Sequence, residues 1–331
     1  MSPTLRHLIT DHTDPYINLA LEELILERVQ LGEIIFLLWQ NCHTVVIGRN
    51  QNAWRECRIA ELEQDGGFLA RRRSGGGAVY HDMGNLNFSF IAHDAEYNPE
   101  KHYEVIISAM HSLGLTAEQS GRNDLVIDDR KFSGNAFFSK NGRFCHHGTI
   151  LIDTDSQAMG RYLQVSSAKL QSKGVVSVQS RIVNLCELLP ELTVEKVRLA
   201  LLDAFMRCYD GNSQMIDEAS LNADRLTALR DTYASWEWRF GQRIAFTQTM
   251  QQRFSWGEIE LQLKVDEGHI QEVAAYSDAL NTEIVQAIAR ALQGMPFIKD
   301  KLLETLSLLP KTDEHEQQMV TDINALIQSQ I

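Results

Sequence analysis

Residues 71–82 read RRRSGGGAVYHD, a segment in which three arginines adjoin three glycines and short apolar stretches lead in and out. Glycine lacks a Cβ atom and readily adopts positive φ, so a glycine run lets the backbone approach a ligand closely. Arginine supplies positive charge and a fork of donors that suits phosphate or carboxylate groups. The segment therefore predicts an anion-binding loop, and a nucleotide is the favoured anion.

Two common nucleotide-binding loops do not fit this segment. The dinucleotide pattern GxGxxG opens a helix, whereas these glycines are contiguous and lead into the strand-like AVYH of residues 78–81. The phosphate loop of many ATPases needs a GK[ST] that does not follow here. The nucleotide would have to be held in a different kind of site.

Composition indicates an ordinary globular protein. The 331 residues are 44% hydrophobic and 23% charged, and this length suits one large domain or two unequal ones. The five cysteines are odd in number and show no CxxC spacing, which favours reduced thiols over a disulfide framework or a zinc site. These features predict a cytoplasmic enzyme or binding protein.

The charge balance narrows the class of ligand. A net charge of −13 argues against a nucleic-acid partner, whose phosphates require a basic surface. No apolar stretch approaches the roughly 20 residues that span a bilayer, and the first residues lack the apolar core of a signal peptide. We expect no nucleic-acid and no membrane partner, and a small anionic ligand at the arginine triplet.

Periodicity along the first 210 residues predicts strands in antiparallel clusters with helices between them. This arrangement favours an α+β layer fold over a doubly wound parallel sheet. Strands are predicted at 34–39, 44–47, 85–91 (half-buried), 144–152 and in a hairpin of 125–127 and 130–132; helices are predicted from Asp14, around 103–113 and around 194–208.

A second, smaller domain is predicted at the end of the chain. Residues 210–224 are polar and weakly patterned, which indicates an exposed connection. A further strand pair, 259–265 and 270–276, is followed by helices near 283–292 and 314–327. We place a boundary near Gly241, giving domains of residues 1–241 and 242–331.

Further motifs occur in register with the opening segment. Together they closely resemble the lipoate–protein ligase A family, and the resemblance covers essentially the whole chain. The motifs are NLALEE (18–23), VVIGRNQN (45–52), SGRNDL (120–125), DRKFSGNA (129–136), HHGTILID (146–153) and SWEWRFG (235–241).

The resemblance implies a fold and an activity. The fold is a catalytic domain of the biotin/lipoate ligase type, with a large mixed or antiparallel sheet, and a small α+β C-terminal domain. The activity is an ATP- and Mg²⁺-dependent ligation in which lipoate becomes lipoyl-AMP with release of pyrophosphate. The lipoyl group then passes to a lysine of apo lipoyl domains, those of the E2 subunits of 2-oxoacid dehydrogenase complexes and of the glycine cleavage H protein. We also expect a monomer.

The resemblance also implies roles for individual residues. Lys131 is the central catalytic cation, and it bridges the lipoate carboxylate and the α-phosphate as charge develops between them. Asp124 is a candidate Mg²⁺ ligand. ATP and the adenylate are bound by Arg72, Ser74, Gly75, Gly76, Gly77, Ala78, Val79, Tyr80, Asn123, Asp124 and Lys131, and lipoate by Lys131, His147 and Gly148.

Each of these residues also has a plainer interpretation. An isolated lysine in a hairpin is usually a solvated charge, and Asn123-Asp124 could form an Asx turn. His146 and His147 are adjacent on a strand and must point to opposite faces, so both cannot easily bind one ion. Asn18 and Glu22, four residues apart on a helix, are either an exposed pair or contacts to substrate.

Two other functions compete with the ligase. Transferases of the same wider fold move octanoyl groups through a cysteine thioester without ATP. Where their cysteine is expected, residues 174–181 (GVVSVQSR) carry serines, while Cys186 lies further on and Cys145 reads as a buried strand cysteine. The second competitor is a non-catalytic sensor that binds an adenylate or a lipoyl domain.

Overall fold

The computed structural model describes residues 3–121, 123–164, 182–241 and 244–331, so that the serine-bearing stretch 174–181 lies outside it. The chain divides into two compact units. The first is Met1–Val46, Cys57–Ala70 and Val79–Ser235, and the second is Ile47–Glu56, Arg71–Ala78 and Trp236–Ile331. Among the helices that the structure describes, none has the length and hydropathy needed to cross a membrane.

Strands and helices alternate irregularly along the chain, which confirms the predicted α+β class. The strands are β1 (Thr4–Ile9), β2 (Glu33–Trp39), β3 (Thr44–Ile47), β4 (Phe68–Arg71), β5 (Val79–His81), β6 (Asn85–His93), β7 (Glu118–Ser120), β8 (Asp124–Ile127), β9 (Arg130–Lys140), β10 (Arg143–Leu151), β11 (Ser213–Met215), β12 (Gln248–Phe254), β13 (Gly257–Asp266) and β14 (His269–Ser277). The helices are α1 (Pro15–Arg28), α2 (Ala53–Glu56), α3 (Ile59–Gln64), α4 (Pro99–Ser112), α5 (Ser156–Tyr162), α6 (Leu185–Leu188), α7 (Val194–Cys208), α8 (Ala223–Ala234), α9 (Trp236–Phe240), α10 (Thr282–Leu292), α11 (Lys299–Ser307) and α12 (Glu314–Gln330).

The first unit is built on an eight-stranded mixed sheet in the order β11-β1-β2-β6-β10-β9-β8-β7. Strand β1 pairs in parallel with both β11 and β2, and the remaining neighbours are antiparallel. Helix α1 begins at Pro15, where the Asp14 carboxylate accepts from the backbone N–H groups of Tyr16 and Ile17. This is the predicted cap followed by a first-turn proline.

The hairpin of β8 and β9 is the predicted one. Its turn residues Asp128 and Asp129 have φ of 50° and 58°, the conformation of a type I′ turn. That turn matches the right-handed twist of the flanking strands, so it sets the register of the pair locally. The same turn type joins β13 to β14 at Glu267-Gly268, where φ is 47° and 75°.

Strand β6 differs from its prediction as a half-buried strand, because every residue from Asn85 to Ala92 is buried. Phe88 and Phe90 face the core formed with helices α4 and α7. The opposite face is covered by helix α1, which turns Ser89 into an interior residue. The alternation of apolar and polar residues indicated two chemically different faces of the strand, and in the structure both faces are buried.

The segment 210–224 is mostly exposed, as predicted, but it is more than a connection. It contains β11, a short edge strand in which Ser213 lies opposite Leu5 of β1. An edge strand of three residues is held by backbone hydrogen bonds and needs no apolar alternation. The side chain of Met215 in this strand is largely exposed.

The second unit contains the three-stranded antiparallel sheet β12-β13-β14. The predicted strand pair and the helices α10 and α12 are present. Helix α11 was not predicted; its short, charged sequence buries only Leu302 and Leu306. Apolar residues of the sheet and of all three helices form one core, which includes Ile259, Leu261, Ile288, Leu302, Met319 and Ile323.

Phe205 of α7 offers a test of the first unit's core. Its ring lies 5.1 Å from that of Phe36 and 6.1 Å from that of Phe90, between centroids, and it is fully buried. We expect Phe205→Ala to lower the free energy of unfolding by about 3–5 kcal/mol, since it leaves a cavity. Leu199→Ala on the same helix, where the side chain is 57% exposed, should change it by less than about 0.5 kcal/mol. Equal denaturant midpoints for the two variants would contradict this core assignment.

Candidate active site

The three arginines of the opening segment have different surroundings. Arg71, at the end of β4, is buried and donates to five backbone carbonyls: those of Gly48, Arg49, Gln51, Trp238 and Arg239. Burial lowers the pKa of Arg71 to about 10, so it stays charged at neutral pH. This arginine therefore organises backbone within the second unit, a role that the sequence did not predict.

Arg72 shapes the glycine loop itself. Its guanidinium donates to Ser74 Oγ at 3.0 Å and to the carbonyls of Gly75 and Gly77 at 2.7 and 2.8 Å. Gly75 must be glycine, because a Cβ there would lie 2.1 Å from the backbone oxygen of Ala279. The loop is thus closely packed within the second unit, with a positive charge inside its curve.

The residues that follow the loop form strand β5 in the first unit. Val79 and Tyr80 pair with Val46 and Val45 of β3. The Tyr80 hydroxyl lies 3.2 Å from His43 Nδ1. Burial, the largest cause, and nearby acidic groups raise the pKa of Tyr80. Its hydroxyl therefore stays protonated at neutral pH.

Lys131 lies in the β8–β9 hairpin with its amine accessible. Its Nζ is 2.7 Å from Asp124 Oδ1, and its side chain is 36% exposed. Gly134 gives the lysine room, because a Cβ there would lie 2.8 Å from Nζ. The structure thus brings Lys131 and Asp124 together, with a directed ammonium group near the surface of the unit.

Asn123 closes the end of the same hairpin. Its side-chain amide donates to the carbonyl of Asn135 at 2.8 Å, and the Asn135 backbone N–H donates to the carbonyl of Asn123 at 2.9 Å. The Asn123 side chain therefore bonds across to β9. This contact joins Asn123 to the strand that carries Lys131.

His146 and His147 point to opposite faces of β10, as predicted. The Nε2 of His146 is 2.9 Å from Asn135 Oδ1, and its Nδ1 is 3.0 Å from the Nδ1 of His102 on α4. Since the amide oxygen can only accept, His146 carries its proton on Nε2, and His102 donates from Nδ1. Burial lowers the pKa of His102 to about 3 and that of His146 well below its ordinary value. The two imidazoles form a neutral pair.

His147 lies on the other face, against the carboxylate of Glu22 from α1. Its Nδ1 is 2.8 Å from Glu22 Oε1, and Ser89 Oγ donates to the same oxygen at 2.6 Å. Burial alone would raise the pKa of Glu22. The His147 ring and hydrogen bonds from His147, Ser89 and Cys145 outweigh burial and lower it. Gly148, the next residue of β10, pairs with Phe88 and with Asn135.

Glu22 and Asn18 are buried, so the interpretation as an exposed pair is wrong. Asn18 donates from its amide to the carbonyls of His12 and Gln40 at 2.9 and 2.8 Å, which ties α1 to the end of β2. The sequence did not predict the polar cluster around Glu22. The signal that could have found it is the i, i+2 spacing of Cys145 and His147 on one strand face.

Family comparisons agree with the motifs. Residues 14–206 match the model of the lipoyl protein ligase A/B catalytic domain, and residues 243–327 match that of the bacterial lipoate protein ligase C-terminus. The chain therefore belongs to the lipoate–protein ligase A/B family, and the resemblance drawn from the motifs is confirmed.

Three solved structures illustrate the likeness. P. falciparum LipL1 in complex with lipoate is 26% identical with a TM-score of 0.86, covering 98% of this chain and 99% of that chain. A bi-partite lipoate protein ligase from Thermoplasma acidophilum, described with its E2 lipoyl domain, is 27% identical with a TM-score of 0.65, covering 73% and 99%. A lipoate-protein ligase A bound with ATP is 26% identical with a TM-score of 0.62, also covering 73% and 99%.

The neutral histidine pair predicts a pH dependence of stability. A buried histidine with a lowered pKa takes up a proton at a higher pH in the unfolded chain than in the folded one. The free energy of unfolding therefore falls as the pH drops below about 6.5. Between pH 6.5 and 5, the contribution of His102 to the slope of unfolding free energy against pH should rise from about 0.7 to about 1.4 kcal/mol per pH unit. Glu22 contributes only below its ordinary pKa of 4.5, outside this window. We expect the unfolding free energy of His102→Asn, measured with denaturant at a series of pH values, to depend less steeply on pH than that of the wild-type chain.

His93→Gln is the matched control for this measurement. His93, at the end of β6, is only partly buried, and its replacement should preserve the wild-type slope. Parallel pH profiles for His102→Asn and the wild-type chain would contradict the neutral pair.

Proposed function

We propose that this protein is an ATP-dependent lipoate–protein ligase. In the first step a carboxylate oxygen of lipoate attacks the α-phosphorus of ATP, and the bond to the departing pyrophosphate breaks, leaving lipoyl-AMP. In the second step the neutral amine of an acceptor lysine attacks the acyl carbonyl. An amide forms, the amine loses a proton, and AMP leaves.

The observation that carries this proposal is the ammonium group of Lys131. Bringing a carboxylate to a triphosphate gathers negative charge, so the site needs a fixed positive group aimed at the reacting oxygens. The Asp124 contact at 2.7 Å holds the amine in one direction, and Gly134 leaves space for it. We assign Lys131 as the catalytic cation, and Asn123 and Asp124 to the nucleotide beside it.

The glycine loop supports a role in binding the nucleotide. Arg72 places positive charge within a loop of small residues, and backbone N–H groups suit phosphate and acyl-phosphate oxygens. We assign Arg72, Ser74, Gly75, Gly76, Gly77, Ala78, Val79 and Tyr80 to ATP and the adenylate. The ATP bound by a ligase of similar fold is consistent with this assignment.

Lipoate is assigned to Lys131, His147 and Gly148. His147 and Gly148 are neighbours on β10, and Gly148 pairs across with Asn135 of β9, the strand that carries Lys131. A similar structure holds lipoate. Within this proposal, residues 1–241 form the catalytic domain and residues 242–331 an accessory domain.

Magnesium would bind through Asp124. Mg²⁺ usually takes one or two protein carboxylates and completes its shell with phosphate oxygens and water. Asp124 offers one carboxylate whose partner here is Lys131, so the donor set fits an ion that arrives with the nucleotide. The ion would neutralise phosphate charge, and the Asp124 carboxylate would bind it in addition to, or in place of, the Lys131 amine.

The acceptors are proposed to be apo lipoyl domains of E2 subunits and of the H protein. The T. acidophilum ligase of similar fold is described together with an E2 lipoyl domain. We further propose that the protein is a monomer, that it acts in the cytoplasm and that it does not bind nucleic acid.

Four of the five cysteines argue against a thioester transferase. A catalytic thiol needs a lowered pKa, and burial instead raises the pKa of Cys57, Cys145, Cys186 and Cys208. Cys186 also donates to the carbonyl of Leu192 at 3.2 Å. These thiols are stabilised in the protonated form.

The decisive experiment supplies the full chain with ATP, Mg²⁺, lipoate and an apo lipoyl domain. We expect pyrophosphate release, lipoyl-AMP in quenched reactions, and an acceptor heavier by one lipoyl group. Omission of ATP, or an acceptor with alanine at the target lysine, serves as the control. Acyl transfer from an acyl carrier protein without ATP would favour the transferase, and tight binding without turnover would favour the sensor.

Replacement of Lys131 tests the assignment of the cation. We expect Lys131→Ala to slow formation of lipoyl-AMP by about 10²–10³-fold, the usual effect of removing one preorganised donor. The neighbouring Arg130, which pairs at the surface with Glu187, supplies the matched control Arg130→Ala with near-normal turnover. Wild-type rates in a folded Lys131→Ala protein would remove the lysine from its assigned role.

A further inference from the structure

Three side chains with metal-ligand chemistry meet inside the first unit. Cys145 and His147 alternate on β10 and so face the same side, towards Glu22 of helix α1. Their ligand atoms, Sγ, a ring nitrogen and a carboxylate oxygen, all lie within 4.8 Å of one another. In the part of the chain that the structure describes, this is the only group of three such residues so close together.

The donor set is selective. A thiolate, an imidazole and a carboxylate together suit a borderline-soft divalent ion such as Zn²⁺, which prefers four tetrahedral ligands. Mg²⁺ and Ca²⁺ prefer oxygen ligands alone. Three protein ligands leave one position for water or a bound molecule. CxxC spacing is not needed for such a site, because a strand and a helix bring the ligands together.

Outer contacts hold the carboxylate in place. Ser89 donates to Glu22 Oε1 at 2.6 Å, and the indole N–H of Trp39 donates to Ser89 Oγ at 3.0 Å. Metal sites commonly have such partners behind their ligands, because these partners fix the orientation of the ligand atoms. This chain of donors runs from β2 through β6 to α1.

We propose that Glu22, Cys145 and His147 bind one divalent ion of the zinc type. On binding, the Cys145 thiol loses its proton to solvent and a metal–sulfur bond forms. The proton that His147 Nδ1 donates to Glu22 moves to Nε2 of the same ring, so that Nδ1 and the Glu22 carboxylate can each bond to the ion. All three residues are at most 6% exposed, so the site lies in the interior.

Without the ion, the cluster keeps its protons. Burial, the largest cause, and the neighbouring Glu22 raise the pKa of Cys145 well above its ordinary value. The thiol then donates to Glu22, and the metal replaces this proton. The proposal does not depend on ligase activity, since it is tested by metal binding and by stability.

Cobalt titration of the full chain tests the proposal. The purified protein is stripped with a chelator, and Co²⁺ is added both to the folded protein and during refolding, because the site is closed to solvent. We expect one Co²⁺ per chain, intense visible bands of a tetrahedral ion, and a thiolate-to-cobalt charge-transfer band, all displaced by Zn²⁺. Zn²⁺ should also raise the melting temperature.

Variants locate the site. Cys145→Ser should lose the charge-transfer band, whereas Cys57→Ser, which alters a buried cysteine outside the cluster, should retain it. Ser89→Ala should weaken Co²⁺ binding by about 10- to 100-fold. His147→Gln gives a second test if Cys145→Ser unfolds. A wild-type chain without a stoichiometric cobalt spectrum would overturn the proposal, as would a charge-transfer band that persists in Cys145→Ser.

Discussion

Helix α1 carries two neighbouring carboxylates, Glu22 and Glu23, into the interior, where side chains from other elements of the first unit pair with them. A buried charge is tolerated only when it is paired and hydrogen-bonded. Glu22 lies against His147, while Glu23 accepts from Lys140 Nζ at 2.6 Å and from the Tyr233 hydroxyl at 2.7 Å. The partners come from β10, β9 and α8. Burial of the two carboxylates of α1 therefore depends on the sheet and on a helix that lies far along the sequence.

Adjacent residues of β10 point to opposite faces of the sheet, and the two faces give their side chains different surroundings. On one face of β10, His146 joins His102 in a neutral, aromatic environment, where the His102 ring stacks 4.3 Å from that of Phe90. On the other face, His147 meets the charge of Glu22. The two histidines are adjacent in sequence, yet burial keeps the first ring neutral, whereas the second forms a hydrogen bond with a buried carboxylate.

Features decided by local chemistry could be predicted from the sequence, and features decided by distant partners could not. The Asp128-Asp129 turn and the Asp14 cap follow from short-range geometry, and the structure contains both. The burial of Ser89 depends on a helix that lies 67 positions from it at Glu22. Arg71, in the arginine triplet before the glycines, was expected to help bind an anion. Its N–H groups instead donate to backbone carbonyls, which no sequence pattern predicts. For the candidate site, motifs selected the candidate residues, whereas the pairing of Lys131 with Asp124 became visible only in the structure.

His147 belongs to both proposals, and this overlap constrains how they relate. As a lipoate contact it acts with Gly148, its neighbour on β10, whereas as a metal ligand it acts with Cys145, two positions away on the same face. An ion held by His147 and Glu22 would convert a polar, hydrogen-bonding wall into one with a vacant coordination position. Such a position binds thiolates strongly. A ligand that carries a thiolate would therefore meet either a hydrogen-bonded cluster or a metal, and occupancy of this one site would decide which.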